Sequence, residues 1–134
     1  MIDCLIMGDS IAEGTKQFMP QCVAVAKSGI NSKQFNSKYI DGRRDRGAEV
    51  VIISLGSNDV GIKTYNELYK LREHVRAERV YWVLPNPERF TQQANDVKLI
   101  AVSFGDTVIG TGKYSPDEVH PTNSGYREIV GQVE

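Results

Sequence analysis

The sequence has few of the features that mark specialised classes of protein. Only two of its 134 residues are cysteines, Cys4 and Cys22, which is too few for a disulfide scaffold. Both fall in strand-like runs, so we expect buried, reduced thiols of the kind found in a reducing compartment. Because no apolar run approaches the ~18 residues of a membrane span, we expect no transmembrane helix.

The N-terminus also has no basic segment ahead of an apolar one, as a signal peptide would have. The sequence therefore predicts cytoplasmic residence by default. A protein carried in a virion or released by lysis would have the same features.

An excess of charge of either sign is missing as well. The chain has 16 Lys and Arg against 17 Asp and Glu, a net charge of -1, so no overall field favours nucleic acid or an anionic membrane. One basic stretch, Arg43-Arg44-Asp45-Arg46, is interrupted by an acid and lies between glycines, which predicts a solvated loop. We expect no nucleic-acid partner.

The composition is otherwise ordinary, with 40% hydrophobic and 25% charged residues. A chain of this length can bury one core without staples, and no linker, repeat or low-complexity segment divides it. Residues 1–134 are therefore predicted to form one domain.

Strand-like and helical patterns alternate along the chain. Strand-like runs cover 2–7, 21–26, 49–55, 80–84 and 106–110, and a helical pattern follows each of them. Such alternation predicts a parallel sheet with helices on both faces, a three-layer α/β/α sandwich. Among doubly wound folds we expect the flavodoxin-like strand order 2-1-3-4-5.

Several polar residues are predicted to begin helices. Asn31 is placed as an N-cap, Thr64 and Glu67 have the spacing of a capping box, and Asn86-Pro87 has the pattern of an N-cap followed by the first helical residue. Pro121 is a candidate first residue of the last helix.

Ser10 lies where the first strand meets the first helix, and two interpretations of it are open. With Glu13 it forms an S-x-x-E capping box, which needs no further purpose. A serine at a helix N-terminus is also well placed as a nucleophile, because backbone N–H groups and the helix dipole favour negative charge nearby.

The predicted topology brings several polar residues together, because ligands bind beyond the carboxyl ends of the strands in such sheets. Ser10, Gly29 and Asn58 follow the first three strands, and Asp117 and His120 follow the last. Each has an ordinary explanation as a cap, turn or loop residue. Together they supply what acyl transfer needs: a hydroxyl nucleophile, a base, a carboxylate to orient the base, and donors for an oxyanion. The other histidine, His74, lies among charged helical residues and is predicted to be a surface residue.

These residues resemble the sequence blocks of the SGNH hydrolases, also called GDSL-type esterases. The blocks are Gly8-Asp9-Ser10-Ile11, with Ile in place of Leu; Gly29; Gly56-Ser57-Asn58-Asp59; and Asp117-Glu118-Val119-His120-Pro121. They occur in the family's order and span almost the whole chain. The resemblance implies Ser10 as nucleophile, His120 as general base and then acid, and Asp117 as the residue that orients it. It also implies an oxyanion hole formed by Ser10, Gly29 and Asn58, and no metal or organic cofactor.

The loops after the third, fourth and fifth strands are short, which leaves little chain for a lid or an acyl tunnel. We therefore expect an open site that hydrolyses short acyl esters, acetyl first, on a small carrier such as an acetylated saccharide. The candidate substrate-binding residues are Asp9, Lys63, Asn86, Arg89, Lys113 and Tyr114.

Two other functions fit parts of the sequence. A phosphoacceptor receiver domain has this size and topology, and Asp9, Asp59 and Lys113 roughly fit its acidic and lysine positions. That interpretation leaves Asp117 and His120 without a role. The other is a carbohydrate-binding or assembly module that keeps the fold without the chemistry. An α/β-hydrolase is excluded because the serine lacks the G-x-S-x-G elbow.

Overall fold

A computed structural model describes residues 3–42 and 45–134. Its strands are β1 (Cys4–Gly8), β2 (Val23–Ala26), β3 (Arg46–Gly47), β4 (Val50–Ser54), β5 (Val75–Arg76), β6 (Arg79–Val83) and β7 (Thr107–Ile109). Its helices are α1 (Ser10–Phe18), α2 (Ser32–Tyr39), α3 (Thr64–Glu73), α4 (Thr91–Phe104) and α5 (Asn123–Gly131). Ile2, which belonged to the first predicted strand, lies outside the described residues.

Five of the strands form one parallel sheet in the order β2-β1-β4-β6-β7. These are the five predicted strands, and their order is the predicted 2-1-3-4-5. The strand order reverses between β1 and β4, so the loops after these two strands flank a crevice at the carboxyl edge of the sheet. The α/β fold with a flavodoxin-like sheet is confirmed.

Apolar side chains cover both faces of the sheet, as its central strands require. In β4, Val51 and Ile53 join the cluster beneath α2, α3 and α4, whereas Val50 and Ile52 join the cluster beneath α1 and α5. This alternation along an unbroken β-branched run is what a strand buried on both faces shows. The result is the predicted three-layer sandwich.

A second, two-stranded sheet pairs β3 with β5 and was not predicted. Its two-residue strands are too short to give a periodic signal. Arg46 of β3 is half-buried and donates to the carbonyl of Tyr39, so its expected place in a solvated loop was wrong. Arg43 and Arg44 of the same stretch lie outside the described residues.

The expectation of reduced thiols was also wrong. Cys4 and Cys22 are buried and joined by a disulfide, with a Cα–Cα distance of 4.7 Å. The register of the sheet pairs Leu5 with Val23, so Cys4 at the start of β1 and Cys22 immediately before β2 lie side by side. The disulfide closes the segment that contains α1.

The predicted helix starts were right at one helix and wrong at three. Asn31 caps α2 in a capping box with Gln34, as expected. Thr64 is the first residue of α3, and its hydroxyl donates to Asp59 instead of capping the helix. Helix α4 begins at Thr91 and not at Pro87, and α5 begins after the N-cap Thr122 and not at Pro121.

None of the helices in residues 3–42 and 45–134 combines the length and the apolar character needed to cross a bilayer.

Candidate active site

The turn after β1 brings the chain very close to β4. A Cβ atom on Gly8 would lie 1.8 Å from the carbonyl oxygen of Ser54, and the φ of Gly8 is +143°. Both conditions favour glycine, because only glycine lacks the Cβ and adopts this backbone without strain. The close approach sets the direction in which the following residues leave the sheet.

Asp9, and not Ser10, caps helix α1. The Asp9 Oδ1 atom accepts hydrogen bonds from the Ile11 N–H at 3.0 Å and the Ser54 hydroxyl at 3.2 Å. The Asp9 side chain is fully buried, so its expected role as a substrate contact was wrong. Glu13 does not close the predicted capping box, since its carboxylate accepts a hydrogen bond from the hydroxyl of Ser28.

Burial keeps the carboxyl group of Asp9 protonated to an unusually high pH. Removing the carboxylate from water raises its pKa from 3.8 to about 7, against the lowering effect of its hydrogen bonds. Its second oxygen, Oδ2, is buried without a hydrogen-bond partner among the described residues. A neutral acid therefore lies beneath the start of α1 over much of the acidic pH range.

With Asp9 as the cap, Ser10 becomes the first residue of α1 and its hydroxyl is available. The Ser10 Oγ atom lies 2.7 Å from Nε2 of His120, and His120 Nδ1 lies 2.7 Å from Oδ2 of Asp117. The three predicted catalytic side chains thus form one continuous hydrogen-bonded chain. In this arrangement, His120 can accept the Ser10 proton while Asp117 holds the ring's other nitrogen.

Asp117 also builds the turn that presents His120. Its Oδ1 atom accepts hydrogen bonds from the backbone N–H groups of Val119 and His120, at 2.9 and 3.0 Å. The side-chain hydrogen bond from His120 is the largest reason that the pKa of Asp117 lies well below its usual range, and these backbone donors add to it. Asp117 is therefore ionised at neutral pH.

Gly29 lies in the loop after β2, and Asn58 lies in the loop after β4. Gly29 has a φ of +77°, which favours glycine, and its N–H has no hydrogen-bond partner among the described residues. The Asn58 Nδ2 atom donates to the carbonyl of Ile30 at 3.1 Å, which ties it to the Gly29 loop. Since an amide nitrogen carries two hydrogens, the second remains available.

Asp59 has a structural role that the sequence did not reveal. Its carboxylate accepts hydrogen bonds from the Ser32 N–H, the Ser32 hydroxyl and the Thr64 hydroxyl, at 2.5–2.8 Å. It thereby fixes the starts of α2 and α3 beside Asn58. Both carboxylate oxygens are engaged and the side chain is only 3% exposed, which does not suit a phosphoacceptor.

The remaining receiver-domain residues do not fit that interpretation either. Asp9 is buried, and Lys113 pairs with Glu128 at 2.6 Å. Across the described parts of the chain, no three His, Cys, Asp or Glu residues are grouped to hold a metal ion.

The other candidate substrate-binding residues lie around the turn of Asp117. Asn86 is buried and donates to the carbonyl of Glu118 at 2.8 Å, and Arg89 donates to the carbonyl of Asp117. Tyr114 lies at the start of the same loop and is half-buried. Asn86 and Arg89 thus brace the turn by contacts with its backbone.

Lys63 does not lie with the other candidate substrate-binding residues around the turn of Asp117. It lies exposed at the start of α3 and lines a cavity of about 260 Å³ with Lys33 and Glu67, which neither Ser10 nor His120 lines. His74 is at the C-terminal end of α3, where its Nδ1 atom is 2.9 Å from the carbonyl of Lys70.

No protein-family model matches the sequence, and no curated protein matches it either. Solved structures match it by fold. A GDSL-like lipase from Bacteroides thetaiotaomicron aligns with a TM-score of 0.68 at 17% identity, over 97% of this chain and 86% of that one. The acetylxylan esterase Axe2 from Geobacillus stearothermophilus gives 0.66 at 16% identity, over 97% and 91%. An α/β hydrolase enzyme from the metagenome of Lake Arreo gives 0.65 at 14% identity, over 96% and 91%. The chain therefore has the fold of these GDSL-like lipases and esterases.

Proposed function

We propose that this protein is a serine esterase of the SGNH, or GDSL, type that removes short acyl groups, acetyl first, from a carbohydrate carrier. The observation that carries the proposal is the chain of hydrogen bonds from Ser10 through His120 to Asp117, at 2.7 Å each. The sequence blocks and the fold shared with GDSL-like lipases support it.

In the first half of the reaction, the Ser10 oxygen attacks the ester carbonyl carbon as its proton passes to Nε2 of His120. The tetrahedral intermediate collapses when His120 returns that proton to the departing sugar oxygen, which leaves an acyl-serine. In the second half, water attacks the acyl-serine with His120 again as base, and the carboxylic acid leaves as Ser10 recovers its proton. Asp117 stabilises the imidazolium that forms in each half.

The oxyanion of each intermediate needs donors that are already in place. The Ser10 N–H, at the first position of α1, and the Gly29 N–H have no other hydrogen-bond partner among the described residues. The Asn58 amide is held to the carbonyl of Ile30, next to Gly29, and has one hydrogen to spare. We assign these three groups to the oxyanion hole.

Two observations support a short acyl group and a sugar carrier. The loops after β4, β6 and β7 are too short to enclose a long acyl chain. The acetylxylan esterase Axe2 has the same fold, and a catalytic mutant of that enzyme has alanine in place of a serine. An open site of this kind suits a bulky carrier with a small acyl group.

The proposal is tested by the hydrolysis of p-nitrophenyl acetate, butyrate and octanoate, with the wild-type protein beside Ser10→Ala and the matched control Ser37→Ala. Ser37 is an exposed serine of α2 outside the site. We expect acetate to be cleaved fastest, Ser10→Ala to lose the activity, and Ser37→Ala to keep it. A fluorophosphonate should label the wild type and not Ser10→Ala.

Two results would contradict parts of the proposal. Activity that survives in Ser10→Ala would place the nucleophile elsewhere, and faster cleavage of octanoate than of acetate would refute the open site. A folded protein that neither cleaves these esters nor reacts with the fluorophosphonate would instead be a binding module on the same fold.

A further inference from the structure

A groove of about 400 Å³ lies against the turn that carries Asp117 and His120. One wall is the loop after β6, including Asn86 and Glu88, and the other is the segment before α5, including Tyr114 and Glu118. Its volume matches that of small-molecule sites, and most of the side chains that line it are polar.

Asn86 fixes the shape of this groove. Its Nδ2 atom donates to the carbonyl of Glu118 at 2.8 Å, and its Oδ1 atom accepts from the N–H of Glu88 at 3.1 Å. One buried side chain therefore holds the two walls together through their backbones. The groove is formed before any ligand binds, which lowers the entropic cost of binding.

The polar groups on the walls are available to a ligand. Neither the carboxylates of Glu88 and Glu118 nor the hydroxyl of Tyr114 has a hydrogen bond or ion pair within residues 3–42 and 45–134. Burial raises the pKa of Tyr114, so its hydroxyl remains a donor at neutral pH. Tyr114 also offers a ring, whose flat apolar face suits the C–H face of a sugar.

The cations near the groove are already engaged. Lys113 pairs with Glu128 at 2.6 Å, and Arg89 donates to the backbone of Asp117. Neither Lys113 nor Arg89 lines the groove, and the charged side chains that do line it, Glu88 and Glu118, are both acidic. Such a groove accepts hydroxyl groups as hydrogen-bond donors and repels carboxylates.

The groove also lies next to the segment that carries His120. Glu118 lies two residues before His120, so their Cα atoms are at most about 7 Å apart. His120 in turn lies against the Ser10 hydroxyl. The groove therefore borders the loop that carries the general base, although Ser10, Asp117 and His120 do not themselves line it.

We propose that this groove is the carrier subsite, and that it selects a saccharide without a carboxylate over the corresponding uronic acid. This inference rests on the proposed esterase function, since it names the carrier of the acyl group. The carboxylates accept hydrogen bonds from sugar hydroxyls, and Tyr114 contacts the ring.

The test is a binding titration that needs no turnover. Methyl 3-O-acetyl-β-D-glucopyranoside and its glucuronoside, which differ only in CH₂OH against COO⁻, are titrated into isotope-labelled Ser10→Ala protein and followed by amide shifts. Two carboxylates about 6 Å from the ligand's own charge, in a largely aqueous medium, predict roughly tenfold weaker binding of the glucuronoside at low salt. The ratio should shrink towards one in 0.5 M NaCl, because salt screens such charges.

Variants test whether the preference for the glucoside arises from the groove residues. In a Glu88→Gln/Glu118→Gln background the tenfold preference should disappear, whereas Glu73→Gln, an exposed glutamate at the far end of α3, should retain it. Tyr114→Ala should weaken both ligands alike.

Equal affinities in the parent protein, tighter binding of the glucuronoside, or no shifts at groove residues would each overturn the inference. These results are independent of esterase activity, which p-nitrophenyl acetate and fluorophosphonate labelling test in the wild-type protein. The two sets of experiments therefore distinguish failure of the groove proposal from failure of the esterase proposal.

Discussion

The buried carboxyl of Asp9 makes the stability of this protein depend on pH in an unusual direction. Its pKa is about 7 in the folded chain and 3.8 in its ordinary state. Between these values the unfolded chain ionises Asp9 while the folded chain keeps it protonated. The proton is therefore lost more easily from the unfolded state, and the stabilising contribution present below pH 4 disappears as pH rises to 7.

The size of this effect follows from the two pKa values. Each pKa unit corresponds to about 1.4 kcal/mol, so the full window removes on the order of 4 kcal/mol, and the interval from pH 5 to pH 8 removes roughly 2–3 kcal/mol. Above pH 7 both states are ionised and the contribution becomes constant. Asp117 and Glu128, whose pKa values are lowered in the fold, act in the opposite direction and only at more acidic pH.

The comparison of wild type with Asp9→Asn isolates this contribution. Asparagine keeps an oxygen for the Ile11 N–H and the Ser54 hydroxyl but cannot ionise. Urea unfolding at pH 5, 6, 7 and 8 should show the free energy of unfolding of Asp9→Asn rising relative to wild type by roughly 2–3 kcal/mol across the series. Two parallel curves would refute the reasoning, because they would mean that Asp9 ionises alike in both states.

Three further predictions concern the oxyanion hole, one helix contact and the disulfide. Asn58→Ala should lower kcat for p-nitrophenyl acetate by ~10²–10³ and lower the melting temperature only slightly, through the lost hydrogen bond to Ile30, and a normal rate would remove Asn58 from the oxyanion hole. Gly14→Ala should destabilise the fold by about 1–3 kcal/mol, because its Cβ would lie 2.3 Å from the tyrosine ring of α5. The control Gly131→Ala has open space and should be neutral or slightly stabilising in thermal unfolding. Replacement of Cys4 and Cys22 by serine should cost about 3 kcal/mol in urea unfolding, the value for closing a loop of this length, and no change would mean that the disulfide does not form.

Features carried by local pattern could be predicted from the sequence. The β-branched run around Val50 and Ile53 indicated a strand buried on both faces, and alternation with helical segments gave the order of the sheet. Asn31 was predictable as a cap because its partner Gln34 lies within the same turn. The loops at the carboxyl edge followed from the topology, so Ser10 and His120 could be expected to meet.

Features that depend on contacts between residues distant in sequence could not be predicted. Asp9 and Ser10 are both good N-caps, and the choice is made by Ser54, which lies 45 residues away and bonds Asp9. The pairing of Cys4 with Cys22 depends on the register of β1 and β2, which no local pattern reports. Asn86 resembled a helix cap, but its partners belong to both walls of the groove.

The two oxygens of Asp117 have separate tasks, one in the turn and one on the imidazole of His120. Selection could therefore retain Asp117 for the turn alone, even in a chain without catalytic activity, because two backbone hydrogen bonds of the turn depend on it. Ser10 and His120 carry no comparable structural duty among the contacts described. In a survey of chains with this fold, loss of the serine or histidine would be the informative sign of lost catalysis, and retention of the aspartate would say little.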